Sequence, residues 1–188
     1  MVFHALVCFP NIQITKINEF RKKYDPHYDL VKPHITLIFP LEQSKISQNS
    51  LSEHIKSITT TWKPFTMELR GLHKSFDHWL FLLVGKGKQK LIQLHDELYT
   101  GILAPFLKKD IEFIPHVTIG RFIKKSDKLN QEGTNNNEFD QARYKIGLRK
   151  AENLQFNFLT EVNSFHLIQV NDAFTQSKIL KEFPLNPR

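Results

Sequence analysis

The pattern of hydrophobic and polar positions in the first third of the chain predicts two strands and two helices in alternation. Residues 2–9 are an apolar, β-prone run, and apolar residues between positions 14 and 24 then recur at helical spacing. Residues 35–39 predict a second strand, which Pro40 closes. Ser50 is placed to cap a helix that buries Leu51, Ile55 and Ile58.

The rest of the chain continues this mixture of strands and helices. Residues 65–69 alternate as a strand does, and residues 79–84 are a continuous apolar strand. A helix that ends at Pro105 carries on one face Leu91, Leu94, Leu98 and Ile102. Residues 117–122 predict another strand. A basic helix and three closing strands follow at 139–146, 155–158, 162–170 and 177–183. Strands joined by both helices and hairpins favour an α+β domain.

One stretch departs from this pattern. Residues 124–138 are rich in Lys, Asn, Asp and Gly, which predicts an exposed basic insertion. The 188 residues are 40% hydrophobic and include 16 Phe, which is enough for one substantial core. We therefore expect residues 1–188 to form a single domain.

The charge of the chain bears on its binding partners, and its cysteine content bears on its compartment. A net charge of +7 and a pI near 9.4 favour anionic partners, and RNA, phosphometabolites and acidic surfaces all remain open. The single cysteine, Cys8, excludes an internal disulfide framework and fits a reducing compartment, so a cytoplasmic protein is expected. The apolar run at 2–9 is too short to span a bilayer. We expect a monomer that does not associate with membranes.

A short motif occurs twice in the chain. Pro33-His34-Ile35-Thr36-Leu37 returns as Pro115-His116-Val117-Thr118-Ile119. Residues two apart in a strand share a face, so each histidine points the same way as its threonine while the aliphatic residues point to the other side. If the copies lie in two related halves, their imidazoles face each other across one cleft.

Two imidazoles on opposite sides of a cavity suit in-line displacement at phosphorus. One takes a proton from the attacking oxygen and the other protonates the leaving oxygen, which a pKa near 6.5 permits at neutral pH. Thr36 and Thr118 can donate hydrogen bonds to the non-bridging phosphate oxygens. The chemistry requires no metal or other cofactor. The neighbouring sequence has neither the acidic cluster of a two-metal phosphodiesterase nor an His-Glu-x-x-His helix.

The paired His-x-Thr-x elements, 82 residues apart, resemble those of the two-histidine (2H) phosphoesterase superfamily. The sequence Tyr24-Asp25-Pro26 ahead of the first motif is similar to the 2′-5′ RNA ligase-like branch. The resemblance implies a bilobal α+β fold, in which two pseudo-two-fold-related lobes of mostly antiparallel strands with outer helices flank a central cleft. It also implies metal-independent cleavage of 2′,3′-cyclic phosphate or 2′-5′ phosphodiester bonds in RNA or nucleotides, with His116 activating water and His34 protonating the leaving oxygen.

Four further residues are candidates for substrate binding. Arg121 would need a bulge after Gly120 to reach the cleft, and Lys32 precedes the first motif. Phe76 and Trp79 end a loop where a base could stack. Basic residues in and after the predicted helix are either a solvated face or contacts for an RNA backbone: Arg143, Lys145, Arg149 and Lys150. Isolated histidines at other positions are expected to be structural: His4, His54, His95 and His166.

Two alternative functions remain open on the sequence alone. A non-catalytic RNA- or nucleotide-binding module would use the same basic cleft without turnover. A metal-dependent hydrolase would draw ligands from the nine histidines. The sequence does not choose the nucleotide, the phosphomonoester that is released, the direction of the reaction in the cell, or the oligomeric state.

Overall fold

A computed structural model describes residues 1–124 and 138–186 of the chain. In order, its elements are β1 Val2–Cys8, α1 Thr15–Tyr24, β2 Ile35–Glu42, α2 Gln48–Thr59, β3 Phe65–Lys74, β4 Trp79–Val84, α3 Lys88–Leu98, a 3₁₀ helix Gly101–Phe106, β5 His116–Arg121, α4 Gln141–Leu154, β6 Asn157–Val162, β7 Ser164–Asn171 and β8 Ser177–Pro184. The strands form two antiparallel sheets. Sheet A has the order β2-β1-β7-β8, and sheet B has the order β5-β4-β3-β6. The predicted α+β class is confirmed.

The two sheets are built in the same way. The unit β1-α1-β2 in sheet A matches β4-α3-β5 in sheet B, and in each sheet the motif-bearing strand, β2 or β5, lies at one edge. The helices are exchanged, because α1 packs on β5 and α3 packs on β2. The strands β2 and β5 also contact each other. This pseudo-two-fold arrangement brings the two copies of the motif together.

A continuous hydrophobic core joins the two sheets to the helices. It includes Leu37 of β2 and Ile119 of β5, which are fully buried on the sides of their strands away from the motif hydroxyls. A second apolar cluster lies on the opposite face of sheet A, with Val7 and Ile168 at its centre. The aliphatic residues of the two motifs therefore anchor their strands in the core.

Most strands begin and end near the predicted positions, but Pro40 does not close β2. The strand continues to Glu42. Because β2 is an edge strand and its register with β1 shifts between the His4–Leu41 and Leu6–Ile38 pairs, Pro40 needs no ladder hydrogen bond. Near the C-terminus, the break between β6 and β7 falls at Asn163, so Val162 belongs to β6.

Helix ends also differ from the prediction, and α4 continues to Leu154 rather than ending at residue 146. The N-cap of α2 is Ser47, whose hydroxyl accepts a hydrogen bond from the Ser50 amide. The helix α3 ends at Leu98, so Ile102 lies in the following 3₁₀ helix and is exposed. Pro105 also lies inside that 3₁₀ helix.

The predicted insertion at 124–138 falls outside the described residues except for its two ends. Lys124 and Glu138 form an ion pair there, and the Lys124 amide donates to the Glu138 carbonyl at 2.7 Å. A β-bridge between Ile123 and Phe139 continues this pairing. The two ends of the segment are thus held side by side at the end of β5. Among the helices that the structure describes, none is long and apolar enough to cross a membrane.

Candidate active site

Both copies of the motif line one cavity of about 510 Å³ between the sheets. His34 directly precedes β2 and His116 is the first residue of β5. Each motif threonine lies two residues further along and lines the same cavity. The structure therefore brings His34, Thr36, His116 and Thr118 together at one site.

Each of the two histidines bonds the backbone carbonyl of the residue two positions before it. The Nδ1 atom of His34 is 2.8 Å from the carbonyl oxygen of Lys32, and the Nδ1 atom of His116 bonds the carbonyl of Ile114. Because a carbonyl oxygen only accepts, Nδ1 carries a proton in both rings. The Nε2 atom of each neutral ring then holds the free lone pair.

Burial lowers the pKa of both histidines. The pKa of His116 falls to about 4, chiefly through burial and with a smaller contribution from the charges of His34 and His73, while the hydrogen bond to Ile114 and the charge of Asp77 oppose the shift. Burial likewise lowers the pKa of His34, while the hydrogen bond to Lys32 and the charge of Asp25 oppose the shift. Both rings are therefore neutral at pH 7 unless a bound group shifts the balance. An anion bound between them would favour protonation.

A phenylalanine lies against each of the two imidazoles. The ring of Phe81 stacks on His116, with 3.5 Å between the ring centroids and 20° between the planes. The ring of Phe9 meets His34 edge to face at 6.3 Å. These contacts fix the ring positions and account for part of the desolvation.

Of the four peripheral candidates, Phe76 and Trp79 line the cavity. The side chain of Phe76 is 86% exposed. The guanidinium of Arg121 lies 4.8 Å from the centroid of the Trp79 ring. A bulge makes this contact possible, because β5 has one extra residue between the Phe81–Thr118 and Leu80–Gly120 pairs.

The bulge places Arg121 opposite Trp79, on the cavity face of sheet B, and its buried Nε atom has no hydrogen-bond partner in the described part of the chain. Arg121 borders the cavity behind Trp79 rather than lining it. Lys32 is different, because it lines a neighbouring groove and not this cavity. The part of Lys32 that serves the site is its carbonyl oxygen.

Two further histidines lie in the cleft, and neither is among the site residues predicted from the sequence. His27 lies between two aromatic rings, 5.5 Å from Trp79 and 6.5 Å from Phe174. His73 is paired with Phe81 across the β3–β4 ladder and lines the cavity. The register explains why local sequence hides them: each reaches the cavity through strand pairing or loop packing, with no motif around it.

In each sheet, the motif threonine belongs to a row of residues that are paired across three neighbouring strands, and the two rows are equivalent. In sheet B the row is His73–Phe81–Thr118, and in sheet A it is His166–Val7–Thr36. His73 and His166 therefore occupy equivalent positions, although only His73 lines the cavity. The outlying histidines have structural surroundings. His54 bonds the Leu98 carbonyl at 2.8 Å, His95 stacks on Phe113, and His4 is fully buried.

A buried ion pair supports the loop that leads to His34. The Nε atom of Arg21 lies 2.7 Å from Oδ2 of Asp25, and both side chains are 2% exposed. Arg21 also donates to the Val31 carbonyl at 2.9 Å, while Asp25 accepts from the His27 amide at 2.9 Å. The pair thus ties α1 to the loop at His27 and at Val31.

The described residues contain no evident set of metal ligands. Within residues 1–124 and 138–186, no group of three or more His, Cys, Asp or Glu side chains is arranged to hold an ion. The polar residues that line the cleft are histidines, the two motif threonines, the Arg21–Asp25 pair, and Ser75, Asp77, Lys108 and Glu112, set in largely apolar walls.

The fold and the paired histidines define a two-histidine phosphoesterase. Over residues 9–172 the chain matches the family profile of the 2′-5′ RNA ligase superfamily, and the chain belongs to that superfamily. A Bacillus licheniformis protein named as a candidate phosphoesterase is 30% identical over 134 residues, which span 70% of this chain and 78% of that protein.

Solved structures share the fold at low sequence identity. The Thermus thermophilus protein TT0787 superposes with a TM-score of 0.63 at 15% identity, covering 100% of this chain and 98% of that one. E. coli LigT in complex with 3′-AMP gives a TM-score of 0.56 at 20% identity, covering 98% and 97% of the two chains. At this level of identity the likeness shows the architecture alone.

Proposed function

We propose that the protein is a metal-independent phosphodiesterase that hydrolyses 2′,3′-cyclic phosphate or 2′-5′ phosphodiester bonds of RNA-derived substrates. In this mechanism His116 is the general base and His34 the general acid. Thr36 and Thr118 bind the non-bridging oxygens of the phosphate.

The observation that carries the proposal is the duplicated backbone bond at Nδ1. It holds each ring in the orientation in which Nε2 is the free nitrogen, and both rings border one cavity. The general base, His116, and the general acid, His34, thus both have Nε2 available for proton transfer. A merely structural histidine would not need its partner repeated 82 residues later beside a matching threonine.

The proton transfers balance over one turnover. Nε2 of neutral His116 takes a proton from water as the water oxygen bonds to phosphorus. The bond from phosphorus to the leaving 2′ or 3′ oxygen breaks, and that oxygen takes the Nε2 proton of cationic His34. Exchange with solvent restores both rings. The low pKa of His116 keeps the base unprotonated, and the bound phosphate charge favours the cationic form of His34.

Three features favour an RNA-derived substrate. The net charge of +7 attracts polyanions. Phe76 and Trp79 give the cleft aromatic surfaces on which a base can stack. The fold is also that of E. coli LigT, which has been crystallised with 3′-AMP.

The direct test is hydrolysis of 2′,3′-cyclic AMP in the presence of EDTA. We expect turnover by the wild type and a loss of at least about 10²-fold in kcat/KM for both His34→Ala and His116→Ala, because each removes one proton-transfer group. His54→Gln is the matched control. Its histidine bonds a backbone carbonyl outside the cleft, so its rate should stay near that of the wild type.

The outcomes separate the three functions. Unchanged rates in both alanine variants would exclude the assigned site. Salt-sensitive binding of nucleotides with no phosphomonoester product would favour the non-catalytic module. Activity that EDTA abolishes, together with stoichiometric metal in the purified protein, would favour a metal-dependent hydrolase.

A further inference from the structure

A cluster of basic side chains lies where the end of α1 meets α4. Lys23 is in the last turn of α1, Arg143 is in the first turn of α4, and Lys150 lies about two turns further along α4. Lys23 and Lys150 are exposed, and Arg143 is half-buried. We call Lys23, Arg143 and Lys150 the α1–α4 basic cluster.

The cluster is held in place by backbone and aromatic contacts. Arg143 donates from Nη2 to the Lys23 carbonyl at 2.8 Å and from Nη1 to the Arg121 carbonyl at 3.4 Å. Its guanidinium carbon lies 5.5 Å from the centroid of the Tyr24 ring, and the Lys23 ammonium lies 5.7 Å from the same ring. Two cations thus share one aromatic ring.

The cluster carries positive charge that the described residues do not neutralise. Among the ion pairs within residues 1–124 and 138–186, none includes Lys23, Arg143 or Lys150. Lys150 is the main cause of a lowered pKa at the Lys23 ammonium, and the charge of Arg143 adds to this effect. Arg143 also stands at the positive end of the α4 dipole. An anion among these groups would relieve the repulsion.

The cluster is connected to the cleft through one residue. The carbonyl of Arg121 accepts from Arg143, and the side chain of Arg121 stacks on Trp79, which lines the cavity. Cationic groups therefore run from the cavity wall, around the end of β5, to the surface of α1 and α4. A strand that leaves the cleft beside Trp79 would meet this path next.

We propose that the α1–α4 basic cluster binds phosphodiester groups of an RNA strand whose terminal nucleotide occupies the cleft. The inference rests on the proposed function for its ligand class and extends it, since it makes the natural substrate an oligoribonucleotide rather than a mononucleotide. The cluster takes no part in bond breaking. It contributes affinity in proportion to the phosphates it neutralises.

The test compares Lys23→Gln/Lys150→Gln with Lys56→Gln/Lys63→Gln, which removes two exposed charges near α2 on the other side of the fold. The probe is a fluorescein-labelled RNA decamer with a 3′-phosphate, which offers no cyclic bond to hydrolyse, and binding is followed by anisotropy across salt concentrations. Loss of two single-strand phosphate contacts should reduce the slope of log K against log salt by about 1.4, and weaken affinity in 0.1 M salt about 25-fold. The control should match the wild type.

Kinetics separate this inference from the proposed function. For a decamer ending in a 2′,3′-cyclic phosphate, KM should rise in the cluster variant by a similar factor with kcat retained. For 2′,3′-cyclic AMP all three proteins should behave alike. Equal decamer affinity and salt slope in the cluster variant and the wild type would overturn the cluster as an RNA site. A wild type that binds the decamer but hydrolyses neither substrate would overturn the proposed function and leave the binding comparison intact.

Discussion

Removing the buried Arg21 should damage both stability and the positioning of His34. The Arg21–Asp25 pair is almost completely enclosed, and Arg21 donates to the Val31 carbonyl in the loop that leads to the first motif. Beyond that point, the Lys32 carbonyl holds Nδ1 of His34. Arg21→Met keeps the length and helix propensity of the side chain while removing all of these donors.

The expected loss of stability in Arg21→Met follows from the buried groups that lose their hydrogen-bond partner. In Arg21→Met the Asp25 carboxylate stays buried, with one remaining hydrogen bond from the His27 amide, and the Val31 carbonyl loses its partner. Breaking a buried pair on one side costs about 3–5 kcal/mol. Adding Asp25→Asn removes the uncompensated charge but keeps an acceptor for the His27 amide. The double variant should therefore recover at least about 1 kcal/mol.

Urea unfolding measures these free energies, with Lys22→Gln, an exposed neighbour on α1, as the control. At a temperature where Arg21→Met remains folded, its kcat/KM on 2′,3′-cyclic AMP should fall about 10-fold or more, because a displaced loop moves His34 away from the phosphate. Three results would refute this reasoning: a loss of stability below about 1 kcal/mol, no recovery in the double variant, or an unchanged kcat/KM in the folded variant.

Three further outcomes follow from the cleft and the core. Because His116 must be neutral and His34 protonated, kcat/KM should rise with a midpoint near pH 4 and fall again with a midpoint below pH 6.5. Phe81→Leu exposes His116 and should move the lower midpoint upward, and an optimum above pH 7 would contradict the lowered pKa of His34. Burial lowers the pKa of His4, so the free energy of unfolding should decline as pH falls below about 6.5. Urea unfolding at pH 5 and 7 should show a weaker pH dependence for His4→Leu than for the wild type, and the same dependence in both proteins would exclude His4 as the cause. Trp79→Ala should raise KM for cyclic nucleotides about 10-fold with little change in kcat, and an unchanged KM would exclude stacking on this ring.

Elements with a strong local signal were predictable from the sequence. The continuous apolar run that became β4 has the predicted bounds, and the repeated motif located the strands that border the cleft. The errors lie where tertiary context decides. Pro40 continues β2 because it lies on an edge strand, and Ile102 is exposed because the chain leaves the helical path after Leu98.

In the candidate site, too, residues with a local sequence signal were predictable and residues placed by tertiary structure were not. The duplicated histidines and threonines carry their own signal. Because Arg121 lies three residues beyond Thr118, the need for an irregularity between them could be stated in advance, but the bulge lies at Ile119 and not after Gly120 as predicted. The part played by Lys32 could not be foreseen, since its carbonyl oxygen bonds His34 although the residue lines a neighbouring groove and not the cavity. His73 and Phe81 meet across a ladder whose register depends on the whole sheet.

The central claim is that His34 and His116 contact one phosphate from opposite sides. A crystal of the protein soaked with a 3′-phosphorylated nucleotide measures this directly. The account predicts a single phosphate with Nε2 of each histidine about 3 Å from a different phosphate oxygen, and a threonine hydroxyl beside each. A phosphate bound to only one of the two imidazoles, or a nucleotide seated elsewhere with the space between the rings left unoccupied, would contradict it.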